Sequence, residues 1–223
     1  MENLPLYVYL FFGASAVLAL SIFYIASQNS KMFLLVVIGW ILVLTFLSLS
    51  DRYTPTKSLL PIFPLLTVPP TILVVALFFI KKGKEFMQNL NVKTLMILHT
   101  TRILVEVGLF FLATYKVIPE SMTFEGRNFD ILIGLSAPVI YYFGFVKSTL
   151  NRSIIIAWNI IGLALLFNVV FTTITTVLVL KQPNFALGYF PFFLLPSVIV
   201  PIVLFSHLVS LKKLFQLRET NAM

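Results

Sequence analysis

Long apolar runs alternate along this chain with short polar connections, and neither the 3.6-residue stripe of a soluble helix nor the strict alternation of a half-buried strand organises them. Seven stretches stand out, roughly 6–27, 33–49, 59–80, 94–115, 129–146, 153–180 and 189–211. A helix that crosses a bilayer needs about 20 predominantly apolar residues, so the pattern predicts an all-α polytopic membrane protein with seven transmembrane helices. The connections, about 5 to 14 residues long, leave no room for a soluble domain, and residues 1–223 read as one transmembrane helical domain without a tandem repeat.

Prolines mark the two least regular spans. Pro61, Pro64, Pro69 and Pro70 interrupt the third, and each removes a backbone donor, which predicts a kinked or broken helix there or, as the plainer alternative, a loop packed at the outer surface leading into a shorter tilted helix. Pro191, Pro196 and Pro201 recur every five residues in the seventh and predict kinks. The first span lacks the basic leader of a signal peptide. Ala14-Ser15-Ala16 superficially resembles a cleavage site, but the apolar run continues to Ala26, so this segment is expected to be retained.

Composition agrees with the pattern: 59% of the 223 residues are hydrophobic and 11% charged, with a mean hydropathy of +1.01. A net charge of +8 would point to nucleic acid in a soluble protein. Here the basic residues sit mostly in the connections, where they set orientation and meet lipid head groups, so the expected partner is the bilayer and not nucleic acid. With the N-terminus outside, the inner segments carry Lys31, Lys81, Lys82, Lys84, Lys93, Lys147, Arg152, Lys212, Lys213 and Arg218; the outer ones carry only Arg52, Lys57, Lys116, Arg127 and Lys181. That bias predicts an N-out, C-in topology. The absence of cysteine excludes disulfides, thiolate metal sites and cysteine nucleophiles. No lysine lies within 189–211 for a retinal Schiff base, and no HExxH or nucleophile-elbow pattern occurs.

The fourth span holds the chemistry. His99, Arg102 and Glu106 are ionisable residues inside one apolar segment, and at about 100° per residue they fall within roughly 60° of one another, on one helix face. A charge at the bilayer centre costs on the order of 3 kcal/mol, and such groups face a protein interior or a wet cavity. Counted from Lys93 at 1.5 Å per residue, His99 lies about 9 Å deep, Arg102 about 14 Å and Glu106 about 20 Å. The same count puts His207 of span seven about 8 Å and Asn159 of span six about 10 Å from that boundary. His99, Arg102, Glu106, Asn159 and His207 are therefore candidates for a ligand- or proton-binding cluster. Each has a plainer alternative. Arg102 and Glu106, at i and i+4, can neutralise each other as a packing staple. His207 can snorkel toward the interface, Asn159 and Asn168 can bond between helices, and Thr172, Thr173, Thr175 and Thr176 can bond back to their own helix. On the outer side, Asn128 or Asp130 can cap span five, which leaves Glu125 and Arg127, with Asp130, as candidates for an outer mouth.

Three segments carry a resemblance: His99-Thr-Thr-Arg102-Ile-Leu-Val-Glu106, Met122-Thr-Phe-Glu-Gly-Arg-Asn-Phe-Asp130-Ile-Leu, and Tyr189-Phe-Pro-Phe-Phe-Leu-Leu-Pro-Ser-Val-Ile-Val-Pro201 with Leu204-Phe-Ser-His207-Leu. Over residues 95–216 the chain resembles a group of uncharacterised bacterial integral membrane proteins with seven spans. The resemblance implies a multi-pass protein of the bacterial inner membrane and carries no activity. Three function classes stay open. The first is small-molecule or ion binding, transport or transmembrane sensing, with Glu106 changing protonation and His99 as a relay. The second is a structural or assembly subunit whose ions only specify packing. The third is a redox protein in which His99 and His207 ligate haem or another metal.

Overall fold

A computed structural model of the chain describes residues 4–49, 63–179 and 186–220, with the side chains of 49, 177, 178 and 217–220 left aside. Every regular element among the described residues is helical. The α-helices are α1 (Leu6–Ala26), α2 (Lys31–Leu49), α3 (Phe63–Phe79), α4 (Lys81–Asn89), α5 (Val92–Leu98), α6 (Thr101–Thr114), α7 (Ile131–Tyr141), α8 (Arg152–Leu178) and α9 (Val200–Thr220). Five helical segments are long and apolar enough to cross a membrane: α1, α2, α5 with α6, α8, and Leu195–Gln216. The bent pair α3–α4 makes a sixth if it is taken as one span.

The pair α5–α6 is the centre. It packs against α1, α7 and α9, while α8 packs on α9, and α3 on α4 and α9. Two apolar clusters meet at this pair: Leu95, Leu98, Val105 and Leu109 belong to the larger one with α1 and α9, and Met96 to a smaller one with Ile133, Ala137, Ile155 and Trp158. The pair is not a straight helix. His99 and Thr100 form a turn in which the backbone bonds tighten to i→i−3, from His99 N–H to the Met96 carbonyl and from Arg102 N–H to the His99 carbonyl. Such a tightening rotates the stripe locally away from ideal α-helical phase.

The third span differs from the sequence expectation in where it breaks. Helix α3 continues through Pro69 and Pro70, and the 90° bend falls instead before Lys81, at the change from apolar to basic sequence. Gly83 makes this corner possible, because a Cβ there would stand 2.1 Å from the Leu77 carbonyl oxygen. Pro61, and with it residues 59–62 of the expected span, lies outside the described residues, as do Arg52, Lys57 and Lys181. In the seventh span Pro196 sits in a π-helical turn, Leu195–Ile199, and Pro201 in the first turn of α9. A π turn widens the backbone where an ordinary helix would clash with the proline ring.

The fifth span is shorter than expected, under 18 residues over Ile131–Val146, because the loop before it folds inward. Helix α6 is closed by Lys116, which lies just past the C-cap Tyr115 and has φ +56°, with Val117 N–H bonded to the Leu112 carbonyl and Lys116 N–H to the Ala113 carbonyl. These are the two bonds of a Schellman cap. The chain then reverses, burying Val117, Ile118, Met122, Thr123 and Asn128 before α7 begins.

Candidate functional site

Arg102, the largest of the fully buried side chains, is the hub of a polar cluster between helices. Its Nε donates to Asp130 Oδ2 at 2.5 Å and its Nη2 to Asp130 Oδ1, a bidentate ion pair and the only salt bridge among the described residues. Nη2 also reaches the Gly162 carbonyl at 3.4 Å, and Nη1 meets His207 Nε2 at 3.0 Å. A guanidinium can only donate, so His207 Nε2 accepts and the ring is the neutral Nδ1–H tautomer. That proton points at Asn159 Oδ1, 2.9 Å away. Asn159 Nδ2 in turn donates to the Ile155 carbonyl at 2.8 Å.

Glu106 stands one turn along from Arg102 but pairs elsewhere. Both of its carboxylate oxygens accept from Asn128 Nδ2, at 2.7 and 2.8 Å, and the same nitrogen lies 3.1 Å from the Met122 carbonyl. The Asp130 backbone N–H donates to Asn128 Oδ1 at 3.0 Å, which fixes which way this amide faces. Asn128 thus joins the Glu106 carboxylate to the Asp130 main chain and brings no charge to either. His99 is stacked on His207, with ring centroids 3.9 Å apart and planes 19° from parallel, and meets the edge of Trp158 at 5.4 Å. The indole N–H of Trp158 donates to Ser136 Oγ at 2.9 Å. His99 is fully buried and neither of its ring nitrogens has a hydrogen-bond partner among the described residues.

Two glycines let the helices close on this cluster. A Cβ on Gly162 of α8 would stand 2.4 Å from His207 Cε1, and one on Gly134 of α7 would stand 2.9 Å from the Ile103 backbone nitrogen beside Arg102. With these small positions, α8 meets the His207 ring and α7 meets the Arg102 turn directly.

A family model for a domain of unknown function, DUF8737, matches residues 59–215, more than half of the chain. The chain belongs to the DUF8737 family. No curated protein and no solved structure matches it. The DUF8737 segment contains every residue of the cluster, from His99 to His207, whereas α1 and α2 lie outside it.

The structure brings together all five residues of the intramembrane candidate set, His99, Arg102, Glu106, Asn159 and His207. It divides the outer set: Asp130 is buried against Arg102, while Glu125 and Arg127 are exposed. Asp130 heads α7 without a side-chain capping bond, so its carboxylate serves the guanidinium and not the helix end. Arg102 and Glu106 do not form the i, i+4 staple, because the returning loop supplies a better-placed partner to each. Asn168 ties α8 to the loop through the Arg127 carbonyl at 2.7 Å. Thr173 and Thr175 bond back to the Val169 and Phe171 carbonyls. Sequence reasoning took Asn128 only as a cap and passed over Ser136, Trp158 and Gly162.

Haem or metal ligation by His99 and His207 does not fit this geometry. Both nitrogens of His207 are engaged, by Arg102 and Asn159, and near-parallel rings 3.9 Å apart leave no space for an ion bridging their edges. Among the described residues no group of three His, Asp or Glu side chains could hold a metal ion.

Proposed function

We propose that this DUF8737 protein is a multi-pass protein of the bacterial inner membrane, seven-spanned and oriented N-out, C-in, in which the buried cluster couples a proton to the binding, transport or sensing of a small molecule or ion. The observation that carries this reading is the charge count: one guanidinium faces two carboxylates, and it is bidentate to Asp130 alone. Glu106 is the surplus acid, held only by a neutral amide. A buried carboxylate without a cation is a natural site for a proton to come and go. Stacked on the neighbouring His207, His99 has two unengaged ring nitrogens and is suited to relay that proton.

The protein reconstituted in lipid vesicles tests this by infrared difference spectroscopy across a pH titration. A protonated-carboxyl band that changes with pH in the wild type and is missing in Glu106→Gln supports the reading. If Glu106→Gln leaves the difference spectrum unchanged, Glu106 is not the proton carrier and the mechanism is lost.

A structural role is the second reading, favoured by the engagement of both His207 nitrogens and both oxygens of each carboxylate. Such a network specifies helix packing without any ligand. A variant with Arg102, Glu106 and Asp130 all replaced by leucine separates the two: a folded protein with an unaltered proton response supports the structural role.

A further inference from the structure

The corner between α4 and the end of α9 encloses a cleft of about 300 Å³. Lys84, Gln88, Lys212, Lys213 and Gln216 line it, over a floor that includes Met87 and Val209. Among the described residues no acidic side chain lines the cleft. Two of the ammonium groups are held in place: Lys213 Nζ donates to the Gln88 carbonyl at 2.8 Å and the Leu90 carbonyl at 2.5 Å, and Lys212 Nζ lies 5.5 Å over the Phe78 ring. Carbonyl dipoles and a ring face orient these charges but do not cancel them. Three lysines around one concavity make a seat for an anion with several acceptor oxygens.

The surroundings identify that anion. Helix α4 turns 90° from α3, an apolar helix, and buries Gly83 and Met87 while its lysines face outward. It has the form of an interfacial helix lying along the head-group plane. Phe79 and Ile80, which lead into α4, and Phe215, beside Gln216, are large apolar residues exposed at the same corner. A phosphate that arrives with acyl chains satisfies both the lysines and this apolar rim, whereas free phosphate satisfies only the lysines. We propose that the α4–α9 cleft binds the phosphate head group of an anionic phospholipid at the membrane surface.

The test is native mass spectrometry of the full chain in detergent, with phosphatidylglycerol and phosphatidylcholine of identical acyl chains as competing probes. Lys84→Gln/Lys212→Gln is compared with Lys31→Gln/Lys147→Gln, which removes two lysines elsewhere. The wild type and the second variant are expected to retain phosphatidylglycerol on the order of 100-fold over phosphatidylcholine, from three lysines. The cleft variant is expected to lose on the order of 30-fold in that preference, at the usual contribution of a lysine near an anionic surface. Equal losses in the two variants, or no loss in the cleft variant, overturn the proposal. A parallel arm adds inorganic phosphate: retention of the lipid supports the head-group assignment, and displacement at low millimolar phosphate overturns it in favour of a soluble anion. If the double variant does not fold, Lys84→Glu alone, at an exposed position, carries the same comparison. None of these readouts involves Glu106, so this result and that of the proton test stand or fall separately.

Discussion

Replacing Arg102 by leucine should be among the most damaging single changes in the chain. Four donor contacts go with it: two to Asp130, one to His207 Nε2 and one to the Gly162 carbonyl. The charge term dominates, since breaking a buried ion pair from one side costs about 3–5 kcal/mol by stranding the other charge. Loss of the neutral bond to His207 adds about 1 kcal/mol. Asp130→Leu strands the guanidinium and should cost a similar 3–5 kcal/mol. The double variant Arg102→Leu/Asp130→Leu strands neither, and apolar replacement of a whole buried pair is often close to neutral. Its remaining cost is the His207 bond and imperfect packing, about 1–2 kcal/mol. The coupling between residues 102 and 130 is therefore about 5 kcal/mol or more.

Thermal unfolding in a single detergent, followed by the fluorescence of Trp40 and Trp158, measures these differences. At roughly 2–4 °C per kcal/mol for a chain of this size, each single variant should melt on the order of 10 °C below the wild type, with the double variant between them. The same cycle run for residues 102 and 106 decides whether the partner is Asp130 or the residue one helical turn away. A coupling of 102 to 106 equal to or larger than that of 102 to 130, or a double variant as unstable as the worse single, would refute the assignment of Asp130 as the counter-ion.

Three further outcomes are expected from the same geometry. Gly162→Ala should lose about 1–3 kcal/mol by driving a methyl group into a His207 ring pinned at both nitrogens, and on a His207→Ala background the same change should cost almost nothing in thermal melts. Asn128→Leu strips both Glu106 oxygens and the Asp130 N–H of their partner; it should cost about 3 kcal/mol, with faster hydrogen exchange along residues 117–130, and Glu106→Leu should partly rescue it. Trp158→Phe and Ser136→Ala should each cost about 1 kcal/mol through one shared hydrogen bond, and the double variant should be no worse than either, a non-additivity that melting points resolve.

The stripe on the fourth span was readable because ionisable residues are rare in apolar sequence, and their spacing fixes a common face. Depth counted at 1.5 Å per residue then matched His99, Asn159 and His207, which do meet, since level is set by each helix's own length. The partner of Arg102 was not readable. Asp130 lies 28 residues away, beyond a reversal made by a left-handed Lys116, and a basic residue carries no sequence signal for that conformation. Helical spacing specifies which face a residue occupies and says nothing of what the next loop brings back to it. Pro69 and Pro70 leave α3 unbroken because each removes only one donor, a local loss that an apolar helix tolerates. The bend at residue 80 follows instead from a change of solvent, at the Phe-Phe-Ile to Lys-Lys-Gly-Lys boundary. Gly83 was visible there but had no neighbour in sequence to reveal its closeness to Leu77.

The ties within the cluster are unequal in strength. Arg102 is joined to Asp130 by a charge-assisted bidentate pair, and Glu106 to the same loop through Asn128, so α6, the loop and the head of α7 are tied as one unit. Toward α8 and α9 the ties are weaker: one bond from the guanidinium to the neutral His207 at 3.0 Å, a long one to the Gly162 carbonyl, and a ring stack. Asn159 holds His207 to α8, so α8 and α9 also form a unit. The weakest surface through the cluster therefore runs between Arg102 and His207, with Gly162 packed flat against it. Under the proton coupling proposed above, a change of charge at Glu106 would act on the α6–α7 side of that surface, with His99 stacked across it, and the Arg102–His207 contact would pass it from one unit to the other.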